Sequence, residues 1–88
     1  MSSLINYFQN IFDLPVEVVA DYPLLMLAGN KKILIENHKG IALYQSDKLK
    51  IRIKDGILNI QGHKINVKEI NRKYLSVSGE ITAIFFEE

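Results

Sequence analysis

The chain has 88 residues, nearly half of them apolar, and a net charge of +1. This length predicts one domain over residues 1–88, and the composition is typical of a globular protein rather than a disordered one. The absence of cysteine excludes a disulfide scaffold, a thiolate zinc site and thiol catalysis. Because no apolar run is long enough to span a membrane and no signal peptide is recognisable, we expect a cytoplasmic protein.

The first 21 residues predict a helical N-terminal segment. Residues 3–14 have apolar side chains along one half of a helical wheel, including Leu4, Phe8, Ile11 and Phe12. Pro15 ends this helix and favours a second, short one over residues 15–20. The apolar face is expected to pack on the domain's own sheet or on a second copy. An interfacial membrane helix is the alternative, although no Lys or Arg precedes residue 31.

Residues 24–87 predict a β domain of about eight short antiparallel strands in a roll or sandwich. The predicted strands cover residues 24–28, 32–37, 41–45, 48–54, 57–62, 65–70, 75–78 and 81–87. Three segments, at residues 25–29, 58–62 and 75–79, share the pattern Leu-x-apolar-x-Gly. This faint repeat leaves a short β-solenoid as an alternative fold.

The clearest pattern is a hairpin over residues 48–62. Apolar and polar residues alternate up to Lys54, and Asp55-Gly56 is typical of a type I′ turn. With those two residues as the loop, Ile53 would pair with Leu58. The apolar residues of both strands would then share one buried face: Leu49, Ile51, Ile53, Leu58 and Ile60.

The opposite face of the same strand carries a row of cations, Lys48, Lys50, Arg52 and Lys54, which we call the basic row. Residues 31–73 hold all eleven Lys and Arg against four acids, a local charge of +7. Lysines on a strand favour solubility and protect sheet edges. The functional alternative is contact with an anionic membrane or with the acidic face of a partner. Nucleic acid is not favoured, because the net charge is small and few aromatic residues lie among the cations.

The sequence contains no pattern for catalysis or for binding a cofactor or metal. Neither His38 nor His63 has the further ligands that a metal site needs. Glu36-Asn37-His38 is interpreted as a turn whose side chains bond to local backbone groups. The C-terminal strand is apolar on both faces, so Ile84 and Phe86 are either central or at an interface. We therefore expect self-association or a protein partner, and no enzymatic activity.

Several motifs in this order resemble the YabP/YqfC family of small sporulation proteins, and within it the YqfC type. The resemblance runs from about Asp13 to Glu88. It rests on Asp-Leu-Pro at 13–15, Asp-Tyr-Pro at 21–23, Ile-Glu-Asn-His-Lys-Gly at 35–40, the Leu-x-apolar-x-Gly segments at 58–62 and 75–79, and the final Glu-Glu.

The resemblance implies an accessory protein that acts in the mother cell of an endospore-forming bacterium while the spore envelope is built. It also implies a partner, a larger membrane-anchored sporulation protein, and it supplies no catalytic residues. We therefore expect a non-enzymatic interaction or assembly module. A self-assembling structural protein and a peripheral binder of anionic membrane surface are the alternatives.

Overall fold

The structure is a computed structural model that describes residues 6–7, 10–13, 15 and 21–88. Asn6, Tyr7 and residues 10–12 are helical, in agreement with the predicted N-terminal helix. Leu4, Phe8 and, beyond Pro15, the predicted second helix lie outside the described residues. The strands are β1 Leu24–Ala28, β2 Lys32–Glu36, β3 Ile41–Tyr44, β4 Lys48–Ile53, β5 Gly56–Ile70 and β6 Tyr74–Glu87.

The strands form one antiparallel sheet in the order β1-β2-β6-β5-β4-β3, which confirms the mainly-β class. There are six strands in the described part rather than eight, because β5 and β6 each continue through a predicted break. Bulges in the β5–β6 ladder absorb the irregularities at Gly62 and Gly79, the two positions where the sequence predicts strand ends. Each strand pairs antiparallel with its neighbours, so the solenoid alternative is wrong.

The two long strands divide the sheet into two halves. Residues 74–78 of β6 and 66–70 of β5 belong to the first half with β1 and β2. Residues 56–61 of β5 and 83–87 of β6 belong to the second half with β3 and β4. The strands bend between these halves, where Lys64 and Gly79 have φ values of 55° and 147°. Gly62 is required for close approach, since a Cβ there would overlap the carbonyl oxygen of Glu80.

The two short hairpins join this bend in equivalent ways, so the fold has an approximate two-fold arrangement. The β3–β4 turn accepts hydrogen bonds from β5, and the β1–β2 turn accepts them from β6. The donor–acceptor pairs are Gly62 N to Asp47 O, Ile65 N to Ser46 O, Gly79 N to Lys31 O and Ile81 N to Asn30 O, at 2.8–3.1 Å. The Leu-x-apolar-x-Gly segments at 58–62 and 75–79 are thus the two places where a long strand enters the bend.

Both halves bury one face, the inner face, in a common hydrophobic core. The five hairpin residues predicted to share a buried face all do so, and the other half of the sheet supplies their neighbours. The core comprises Ile33, Ile35, Leu49, Ile51, Ile53, Leu58, Ile60, Ile65, Leu75, Val77 and Ile81.

The predicted register of the central hairpin is wrong by two residues. Lys54 and Asp55 form the turn, and Ile53 pairs with Gly56. Only Asp55 has a positive φ, 63°, whereas a type I′ turn needs two. A Cβ at Gly56 would lie 2.5 Å from the carbonyl oxygen of Glu87, so this glycine serves the approach of β6 rather than the turn. A two-residue shift leaves every side chain on its predicted face.

Candidate interaction surface

The basic row occupies the face of β4 opposite the core, which we call the outer face. Lys48, Lys50 and Arg52 alternate with three buried residues of the strand, as predicted. Lys54 does not extend the strand, because it lies in the turn. The row is therefore three cations on a strand and a fourth at its end.

Most of the basic row has a partner within the chain. Arg52 Nη1 donates a hydrogen bond to the carbonyl oxygen of Ile41 at 2.8 Å. The ammonium group of Lys54 lies 5.3 Å from the ring centroid of Tyr22, a cation–π distance. Lys48 has no side-chain partner in the described part of the chain. These contacts orient Arg52 and Lys54, whose side chains are exposed to solvent.

Two further strands extend this surface. Lys50 is opposite Asn59 on β5, and Asn59 is opposite Phe85 on β6. Neighbouring strands lie about 5 Å apart, so Phe85 is roughly 10 Å from the row. Phe85 is 43% exposed. Cations and an exposed aromatic ring therefore share one face.

Asn59 connects the row to β6 through a carboxylate. Its Nδ2 donates to Glu87 Oε1 at 2.9 Å, and the same oxygen lies 3.6 Å from Lys50 Nζ. The hydrogen bond from Asn59, together with the charge of Lys50, holds the pKa of Glu87 below its ordinary value. Asn59 is almost completely buried, and its amide donates this hydrogen bond to Glu87.

Sequence reasoning missed Phe85, Asn59 and Glu87 as parts of this surface. The interface prediction named Ile84 and Phe86, which face the core side of the sheet opposite Ile60 and Leu58. The alternation within β6 contained the signal, because it assigns Phe85 to the other face. Without the pairing of β6 to β5, that face could not be matched to the basic row.

The other apolar residues predicted for interaction lie in different parts of the fold. Ile84 packs against the core, whereas Phe86 is 64% exposed at the end of β6. On the N-terminal helix Ile11 and Phe12 are 57% and 58% exposed. Leu4 and Phe8, the remaining two, are outside the described residues.

Asn37 and His38 follow β2, and their side chains bond mostly to backbone distant in sequence, whereas the prediction was a turn bonded to local backbone groups. Asn37 Nδ2 donates to the carbonyl oxygen of Tyr22 at 2.8 Å. The imidazole of His38 lies 2.7 Å from Asn71 O through Nε2, and Nδ1 accepts the N–H of Gly40 at 3.1 Å. Both ring nitrogens thus tie together separate segments of backbone.

Glu36 is the exception in this motif. Its side chain is buried on the outer face of the first half, between Leu24 and Tyr74 on the neighbouring strands. Within the described ranges Oε1 has no hydrogen-bond donor. Burial raises the pKa of this carboxyl group. No sequence pattern predicts this burial, since a Glu at the end of a strand is usually solvated.

A groove of about 500 Å³ opens on the outer face of the first half. Met26 and Leu34 line it together with Lys32 and Lys68. It lies on the other half of the sheet from the basic row, so the two features do not form one site.

Neither a metal cluster nor a membrane-spanning helix is found where the structure describes the chain. No three of its His, Asp and Glu residues converge there. No helix in that part is long and apolar enough to cross a bilayer.

Comparison with known proteins places the sequence in a family. The sequence model of the YabP family matches residues 22–88, which is the whole β domain. Over 76 residues the chain is 28% identical to "Uncharacterized protein YqfC" of Bacillus subtilis (strain 168). That alignment covers 86% of this chain and 82% of the relative. The chain therefore belongs to the YabP family, as its motifs predicted.

Proposed function

We propose that this chain is a non-enzymatic sporulation protein, an interaction or assembly module that binds a membrane-associated partner during spore envelope formation. Membership of the YabP family supports the link to sporulation. The family resemblance is the basis for three further parts of this proposal. They are the mother-cell cytoplasm as the location, the spore envelope as the structure being built, and a membrane-anchored sporulation protein as the partner.

The observation that carries the binding role is the outer face of the second half. Arg52 and Lys48 lie on the same face as the exposed ring of Phe85. Arginine and aromatic side chains are enriched in protein interfaces. Lys50 is already close to Glu87, which leaves the remaining cations for an external anion. The partner surface should therefore combine acidic groups with an apolar contact for Phe85.

The test is affinity capture from sporulating cells whose membranes have been solubilised in detergent. The basic-row variant changes Lys48, Lys50, Arg52 and Lys54 to Gln. Its matched control changes Lys32, Lys64, Lys68 and Lys73 to Gln, which removes the same charge elsewhere. We expect the wild type and the control to capture a membrane protein that the basic-row variant loses. Capture of no membrane protein by the wild type would overturn the proposal.

A second candidate is direct binding to an anionic membrane surface. Ile11 and Phe12, exposed on the helix, together with the basic row favour it. Such binding should appear with phosphatidylglycerol vesicles in the absence of other protein and weaken as salt is raised. Flotation of the wild-type protein with phosphatidylglycerol vesicles but not with phosphatidylcholine vesicles would distinguish this function from binding to a protein partner.

A further inference from the structure

The C-terminal part of β6 is a sheet edge that no strand of the described residues pairs on its outer side. Residues 74–78 of β6 pair with β2 on one side and β5 on the other. Residues 83–87 pair with β5 alone, and no described strand lies on their other side. This edge begins where the β1–β2 turn ends its contact with β6, at the Ile81 N–H.

The ladder pattern decides which backbone groups face the open side. Arg52 donates its N–H to the carbonyl oxygen of Gly40, so the N–H and C=O groups of Arg52 point toward β3. Because this direction alternates along a strand, the same groups of Lys50 also point toward β3. Lys50 is opposite Asn59, whose backbone groups consequently face β6. Asn59 is opposite Phe85, and the backbone groups of Phe85 therefore face β5.

By alternation, Ile84 and Phe86 direct their N–H and C=O groups away from the sheet. Residues 81–86 contain no charge and no proline, the usual protections of an exposed edge. The equivalent edge of β5 is different, because the Tyr44 hydroxyl accepts the outward N–H of Val67 at 2.8 Å. One outward donor of the β5 edge is thus satisfied by a side chain, whereas no described residue satisfies the outward groups of Ile84 and Phe86.

We propose that the open edge of β6 pairs antiparallel with β6 of a second copy of this chain, across a two-fold axis at Phe85. Ile84 would exchange hydrogen bonds with Phe86 of the second copy, and each Phe85 would lie opposite its counterpart. The two second halves would form one continuous sheet, with an isologous interface that closes on itself. This inference is independent of the proposed function.

Side-chain chemistry favours this register over its neighbours. With Phe85 opposite Phe85, Glu87 faces Ala83 and Glu88 faces Thr82, so no carboxylate opposes another. A shift that placed Ile84 opposite Ile84 would set Glu88 against Glu80. A shift in the other direction would set Glu88 against Ile84 and lose an apolar pair. Glu87 already has the neighbouring Lys50 as a counter-charge.

Single cysteines test this register directly, since the chain has none of its own. Opposed residues whose backbones face away from each other lie about 4.5 Å apart at Cα, within disulfide range. Phe85→Cys should therefore form a disulfide-linked dimer under mild oxidation. Ala83→Cys should not, because the two copies of residue 83 would be about 13 Å apart. The double variant Ala83→Cys/Glu87→Cys should crosslink and retains Phe85.

The sedimentation mass of the wild-type chain, which has no cysteine, is a second measurement. We expect twice the 10.1 kDa mass of one chain. Phe86→Pro should remain monomeric because it removes an outward N–H, whereas Phe86→Val retains that group and should dimerise. Thermal melts would verify that both variants are folded. A wild-type monomer at about 100 μM, or equal crosslinking of the two single-cysteine variants, would overturn the proposal.

Discussion

The hydroxyl of Tyr44 on β3 lies 2.8 Å from the backbone nitrogen of Val67 on β5 and accepts its hydrogen bond. The same hydroxyl donates to Asn66 Oδ1 at 3.1 Å. These strands are not neighbours in the sheet, so Tyr44 connects the edge of one half to the edge of the other. It satisfies a backbone donor that would otherwise be open to another chain.

Tyr44→Phe removes both of these hydrogen bonds and retains the ring. We expect the free energy of unfolding to fall by about 1 kcal/mol, the scale of one to two net hydrogen bonds. Urea denaturation measures this change. Tyr22→Phe is the control and should be close to neutral, because the Tyr22 ring contacts Lys54 and its hydroxyl has no hydrogen bond to any described residue. Equal effects of the two changes would contradict the role of the Tyr44 hydroxyl.

The bend predicts a severe effect of a single methyl group at Gly62. Gly62→Ala would force a Cβ into the backbone of Glu80, so we expect a loss of at least about 2 kcal/mol of stability. Gly29→Ala has open space, but its φ of 57° favours glycine, so its cost should be near 1 kcal/mol. Thermal unfolding of the two variants ranks them. If Gly62→Ala is the milder change, the close contact at the bend is wrong.

The pair of Asn59 and Glu87 predicts a pH-dependent contribution to stability. Because the pKa of Glu87 is lowered in the folded state, its contribution is present above the unfolded pKa and is lost as pH falls through the folded pKa. Glu87→Gln should therefore lower the melting temperature at pH 7 and matter less at acidic pH. A pH-independent difference would mean that the carboxylate charge has no role.

Glu36 should behave in the opposite way. Burial raises its folded-state pKa, so the stability it contributes is complete below the unfolded pKa and declines as pH rises through the folded pKa. Glu36→Gln should therefore stabilise the protein at pH 7 by about 1 kcal/mol. The gain should vanish near pH 3.5.

Urea denaturation at the two pH values measures the effect of Glu36→Gln. Asp47→Asn, at an exposed side chain, is the control and should change stability little at either pH. A loss of stability in Glu36→Gln at pH 7 would show that the carboxylate is satisfied by a donor.

The sequence allowed the inner face of the central hairpin to be predicted because strict alternation depends only on which face is buried. The same alternation does not determine which residues pair across the two strands. Asp55-Gly56 is typical of a turn, but Gly56 lies in β5, where the absence of a side chain allows the backbone of Glu87 to come close. Local sequence contains no information about this contact between distant residues. Gly62 and Gly79 resemble strand ends in the sequence for the same reason, and both are bend positions inside long strands.

The surface was predicted in part. The basic row could be identified from β4 alone, since its members alternate with core residues. Phe85 and Asn59 became part of the same surface only through pairing between strands distant in sequence. Neither a buried amide nor a buried carboxylate has a local pattern, so Asn59 and Glu36 could not be predicted.

In our proposal, the outer face of the second half binds a membrane-associated partner during sporulation. The most direct measurement is the amount of membrane protein recovered from solubilised membranes of sporulating cells by the wild type, the basic-row variant and its charge-matched control. Truncating one partner of a buried interfacial charge pair weakens binding by about 2 kcal/mol or more, so recovery by the basic-row variant should fall at least about tenfold. The control should resemble the wild type. Equal recovery by all three proteins would contradict the account.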